Sequence, residues 1–175
     1  MAQKLIKYIE IDDFKKVLTA ENDKRFKLAY VLAFGSGLRI SEIVGYKING
    51  TWKIKPLTQE QVNLEKHQIK LLGKRNKERI TVTSPWLNKT NILLLPLDIP
   101  RRTLQRRFTN LCQKILNKHL SIHTLRHGFA NFLVNEKNLP LPMAQSMLGH
   151  EKLSTTGIYT KSNPEKTIQT AWESF

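Results

Sequence analysis

The sequence predicts an α+β domain, mostly helical, with one small antiparallel sheet. Apolar residues recur at helical spacing up to Val44 and again beyond residue 100. Between these stretches the pattern changes, and residues 62–83 read as short runs suited to strands. With 40% hydrophobic residues the chain can build a core, which excludes a wholly disordered basic tail.

The first helix begins at Ile11-Asp12-Asp13-Phe14, where an acidic start suits the helix dipole, and Phe14, Val17 and Leu18 share a face. The second covers about 23–35, with apolar residues from Phe26 to Phe34, and stops at Gly35-Ser36-Gly37. A third, short helix follows Leu38-Arg39, with Ile40, Ile43 and Val44 turned inward. Residues 45–57 read as a loop holding a short strand at Thr51–Ile54. Val62–Leu64, His67–Leu72 and Arg79–Thr83 form the expected three-stranded sheet, with Lys74–Lys77 as a hairpin turn. A helix starts near Pro100 or Arg101, with Leu104, Phe108, Leu111, Ile115 and Leu116 on one face. The last third is helical at about 121–136, 140–148, 154–160 and 164–174, with Ser121 as the expected cap of the first of these.

Lysine and arginine number 29 against 14 acidic residues, a net charge of +15 on 175 residues. Residues 51–120 carry +11 of this, concentrated in Lys74–Arg79 and Arg101–Arg107. Such clustering points to a polyanionic partner, whose bound counterions would be released on binding. No segment has the roughly 18 apolar residues of a membrane helix. Cys112 is the only cysteine, which excludes an intrachain disulfide and fits a reducing compartment. Met1 is followed by polar and charged residues with no cleavage-like site, so a cytoplasmic location is expected.

Arg39, Lys74, His123, Arg126, His150 and Tyr159 together suit metal-free phosphoryl transfer. Two guanidiniums can clamp the non-bridging oxygens of a phosphodiester. Imidazoles can move protons near neutral pH, a tyrosine hydroxyl can attack phosphorus, and a lysine can protonate the leaving oxygen. His123 and His127 have metal-ligand spacing, but Thr124 stands where a zincin has glutamate and no cysteine or carboxylate cluster adds ligands. No metal or other cofactor is expected.

The motifs Gly37-Leu38-Arg39-Ile40-Ser41-Glu42-Ile43, Gly73–Arg79, His123-Thr124-Leu125-Arg126-His127-Gly128-Phe129-Ala130, Leu148-Gly149-His150 and Ser154–Thr160 occur in this order. In these the chain resembles the catalytic domain of tyrosine recombinases, the family of phage integrases and Xer-type resolvases, over about residues 10–165. The resemblance implies that family's catalytic-domain fold and site-specific DNA strand exchange without metal or ATP. It implies that Arg39 and Arg126 clamp the phosphate and that Lys74 protonates the leaving 5′ oxygen. His123 and His150 would assist, and Tyr159 would form a 3′-phosphotyrosyl link. Glu42 and His127 are expected in supporting roles. Arg75, Lys77 and Arg79 on the hairpin, and Arg101, Arg102, Arg106 and Arg107 at a helix start, are the expected DNA contacts. The expected partners are double-stranded DNA and further copies of the chain, as a tetramer on paired sites joined through the C-terminal segment. The apolar stripe of Ile168, Ala171, Trp172 and Phe175 suits docking on a neighbour or on its own domain.

Some features depart from the family pattern. Arg75 stands where many members have glycine, Thr160-Lys161 replaces a frequent Thr-His, and Tyr46–Pro56 reads as an insertion. Only 38 residues precede Arg39, so residues 1–175 are expected to be a single catalytic domain without the family's N-terminal core-binding domain. It would be either an excised domain or a minimal natural recombinase. The alternative functions are a catalytically silent DNA-binding regulator and a type IB topoisomerase-like relaxing enzyme.

Overall fold

The computed structural model describes residues 7–72, 78–149, 164–173 and 175, with the backbone alone for 164–167. Helix α1, Ile11–Ala20, carries Asp12 and Asp13 in its first turn and buries Phe14 and Val17. Helix α2, Lys24–Gly35, is capped by the Asp23 side chain, which accepts from the Arg25 N–H at 2.9 Å. From Leu28 to Gly35 every residue of α2 is buried, which makes it the central helix of the domain. Phe14 stacks on Phe34 at 4.1 Å between ring centroids, and Tyr30 meets Phe108 edge-on at 5.2 Å. Phe108 belongs to α5, Arg101–Leu116, whose Leu104, Phe108 and Cys112 form a buried stripe at four-residue spacing.

The short helix α3, Ile40–Val44, leads into β1, Tyr46–Ile48, and β2, Thr51–Ile54, which pair as an isolated antiparallel hairpin. Only β2 is expected from the sequence. The overlooked signal is Asn49-Gly50, whose φ angles of 48° and 77° give the left-handed turn that matches strand twist. The three-stranded sheet has the expected make-up: β3, Val62–Asn63; β4, Gln68–Leu72; and β5, Glu78–Val82, antiparallel in the order β3-β4-β5. The short helix α4, Lys89–Ile92, is an addition, opened by a reciprocal pair in which Asn88 Oδ1 accepts from the Asn91 N–H and Asn91 Oδ1 from the Asn88 N–H.

The helix expected over 121–136 is α6, His123–Asn131, followed by a widened π turn over Phe132–Glu136. Ser121 does not cap it through its side chain. Its carbonyl instead accepts from the Thr124 N–H at 2.9 Å and the Thr124 hydroxyl at 2.6 Å. Helix α7, Leu141–Leu148, starts after Pro140 as expected, and α8 covers Pro164–Glu173. The helix expected over 154–160 lies outside the described residues.

Two apolar clusters result. One joins α1, α2, α3 and α5; the other gathers Val82, Phe129, Phe132, Leu148, Ile168 and Ala171. Helix α6 serves both, through Leu125 and Phe129. The stripe on α8 is covered within its own domain: Trp172 stacks on His67 at 3.7 Å, and Phe175 stacks on Phe132 at 5.5 Å. No described helix is long and apolar enough to cross a membrane.

Candidate active site

The end of α7 organises the site. The carbonyls of its last turn have no partner within the helix and carry its negative dipole end. Three consecutive carbonyls there each accept from a different arginine. Arg79 donates to Met147, Arg126 to Leu148, and Arg39 to Gly149 at 3.3 Å. The three guanidiniums come from β5, α6 and the residue before α3, so separate parts of the chain meet at one helix end.

Two glycines make the approach possible. Gly149 ends α7 with a φ of +63°, and a Cβ there would lie 2.7 Å from Arg79 Cδ. Gly37 has a φ of +66°, and a Cβ there would press on the Phe129 ring at 2.5 Å. The Gly37 carbonyl accepts the second Nη of Arg126. Arg126 is thereby braced on both sides by one N–H of each Nη, which leaves its other N–H donors for a ligand.

Glu42 is the counter-charge. It is 7% exposed, and its carboxylate serves two arginines. Oε2 accepts from Arg79 Nη2 at 2.6 Å and from the Arg39 N–H at 2.7 Å, while Oε1 accepts from Arg39 Nη1 at 3.1 Å. Burial would raise this carboxyl, but the Arg79 charge, the Arg39 N–H and the Arg39 charge outweigh it and hold it below its usual value. One carboxylate against three guanidiniums leaves the cluster positive. Burial, with the charges of Arg39 and Arg79 beside it, pushes Arg126 down to about 9. An anion bound here would relieve that repulsion, and Arg39 stands on the open side, 44% exposed at its side chain.

His123 is the first residue of α6, one turn before Arg126, and is exposed. His127 follows Arg126. Burial, the Arg126 charge and His123 hold its imidazole below the usual value. Of the six residues expected to act, Arg39, His123 and Arg126 are described, and the two arginines meet at the α7 end. Lys74, Arg75 and Lys77 fall between the paired ends of β4 and β5, Leu72 and Glu78, outside the described residues. His150 and Tyr159 also lie outside them, His150 directly after Gly149.

Two expected DNA contacts hold carboxylates, Arg79 turned inward and Arg107 with its side chain still 44% exposed. Arg79 is 10% exposed at its side chain and is committed to Glu42 and Met147. Arg107 makes a two-pronged pair with Glu21, at 2.8 and 2.6 Å, and lies over the Phe26 ring at 4.4 Å. Glu21 is only 2% exposed and would be an unpaired buried charge without it. Arg101, Arg102 and Arg106 are exposed, with Arg101 over the Tyr46 ring at 4.8 Å. The inward role of Arg79 was hidden because charge density alone does not separate a surface arginine from one facing a buried glutamate 37 residues earlier.

The family profile described as "Phage integrase family" matches residues 4–166. The chain is 32% identical over 180 residues to the tyrosine recombinase XerC of Histophilus somni, a match covering 89% of this chain and 57% of that protein. It is 30% identical to the XerC of Vibrio cholerae, over 89% of this chain and 54% of that protein. The chain thus spans little more than half the length of these relatives. Among solved structures, its fold is similar to that of an integrase from mycobacterium phage Brujita, with a TM-score of 0.69 and 19% identity over 98% of this chain and 58% of that one. The catalytic domain of the bacteriophage HP1 integrase is similar at a TM-score of 0.58 and 19% identity, over 95% of this chain and 87% of that one.

Proposed function

The chain belongs to the phage integrase family, and on that premise we propose that it is the DNA-cleaving domain of a site-specific recombinase. The observation that carries this reading is the seating of Arg39 and Arg126 on the Gly149 and Leu148 carbonyls, at the point where His150 follows. Two oriented guanidiniums in a positive cluster suit the phosphorane-like transition state of phosphodiester cleavage, and their orientation is fixed before substrate arrives.

In this reading the Tyr159 oxygen attacks the phosphorus and the bond to the 5′ oxygen breaks. Tyr159 loses its proton, with His123 and His150 assisting, and Lys74 gives a proton to the departing 5′ oxygen. The 3′-phosphotyrosyl link retains the phosphodiester energy. A 5′ hydroxyl of a second duplex then attacks, the tyrosine oxygen leaves, and the strands are exchanged. No step needs a metal or ATP. Arg101, Arg102 and Arg106 supply exposed cations for backbone phosphates. Strand exchange requires two paired sites and hence several copies. Joining them through the C-terminal segment would place the Trp172 and Phe175 rings, which here pack on His67 and Phe132, against a neighbouring copy.

Two duplexes carrying a site recovered by covalent trapping test the reading. Recombinant products from the pair are the expected result. Relaxation of supercoiled DNA with no exchange would replace the reading with topoisomerase-like action, and binding with neither would replace it with a regulatory role.

A further inference from the structure

We infer that Arg79 is a positioning residue for the phosphate clamp, acting through Glu42 and the end of α7. The inference rests on the recombinase reading above and assigns Arg79 no contact with DNA. Its fork touches both supports on which Arg39 is held. One prong reaches Glu42 Oε2 at 2.6 Å, the same oxygen that accepts the Arg39 N–H at 2.7 Å. The other prong reaches the Met147 carbonyl, next in line to the Leu148 and Gly149 carbonyls that hold Arg126 and Arg39.

Displacing Arg79 therefore frees the carboxylate that orients Arg39 and unpins the helix end that seats both clamping arginines. The helix end is shaped around this side chain, since a Cβ on Gly149 would lie 2.7 Å from Arg79 Cδ. Arg79 is also the second residue of β5, where it pairs with Leu71 of β4. It thus ties α3, β5 and α7 together at one point. Lysine carries the same charge as arginine but has no planar fork, so a single ammonium cannot hold both partners in this geometry. The role depends on the shape of the guanidinium as well as on its charge.

The test uses the 175-residue chain with Arg79→Lys, which keeps the charge beside Glu42, and the pair Arg79→Met with Glu42→Gln, which leaves no unpaired buried charge. Thermal melting, DNA affinity and single-turnover cleavage are measured on a trapped site and on the same site with an uncharged methylphosphonate at the cleaved position. For Arg79→Lys we expect melting and DNA affinity close to those of the unaltered chain and cleavage slower by about 100-fold, the scale of a small misplacement of reacting groups. The deficit should shrink on the methylphosphonate, which carries less charge for the clamp to neutralise. The double variant should show the same pattern. Equal deficits on both substrates, a deficit matching the loss of folded protein, or cleavage at the unaltered rate would each overturn the inference. No covalent adduct from the unaltered chain would overturn the recombinase reading itself, and this inference with it.

Discussion

Arg126 gives both of its Nη groups to backbone oxygens, on Gly37 and Leu148, so its orientation is fixed before any phosphate arrives. Arg126→Ala should therefore lower the cleavage rate by about 10²–10³-fold, or roughly 2.7–4 kcal/mol, as when one preorganised donor is removed. Single-turnover cleavage at saturating protein measures it. Glu42 gives a pH prediction. Its carboxyl is lowered from the usual 4.5, so the stability it contributes is present above that pH and is lost as pH falls through the folded value. Acid unfolding should therefore steepen below about pH 4.5, and Glu42→Gln should reduce that steepening, with the rest carried by Glu21, Asp13 and Asp23, whose carboxyls are also lowered, as followed by circular dichroism. The residues of this cluster are partly legible in the sequence. Gly-x-Gly-Leu-Arg and His-x-x-Arg mark Arg39 and Arg126 through local spacing. Arg79 reads as a surface cation because its partner, Glu42, is 37 residues away.

At the scale of elements, the end of α7 is the piece on which the site depends. Gly149→Ala should cost about 1–2 kcal/mol for the left-handed conformation alone, with added crowding of Arg79. Gly149→Asn should melt higher than the alanine variant, because asparagine tolerates that conformation. Truncation before α8 should destabilise the domain. It would expose the surface now covered by Ile168 and Ala171, both buried, and by the Trp172 and Phe175 ring contacts. Thermal melting reads both outcomes. Periodicity suffices for α1, α2, α5 and α7, helped by Gly35 at the end of α2, Pro100 at the start of α5, and Pro140 and Gly149 around α7. It misses β1, whose three residues are too short for a pattern, although Asn49-Gly50 marks the turn. It also extends α6 through the π turn, since the side-chain pattern of a widened turn differs little from a helix.

Across the whole molecule, the net charge of +15 divides into two uses. Arg39, Arg79, Arg107 and Arg126 are bound to carboxylates or carbonyls of the domain, Arg39 and Arg107 while still partly exposed, whereas Arg101, Arg102 and Arg106 are exposed and hold no carboxylate among the described residues. Arg102→Gln and Arg106→Gln should each flatten the salt dependence of DNA binding by about 0.9 in log–log slope. Arg107→Gln should instead lower the melting temperature, because it leaves Glu21 without its partner. The central claim concerns chemistry at one atom, the Tyr159 oxygen. The most direct measurement is covalent trapping on a nicked duplex library, read as an adduct that survives denaturant. The account predicts an adduct from the unaltered chain and none from Tyr159→Phe. No adduct from the unaltered chain, or one that persists in Tyr159→Phe, would contradict it.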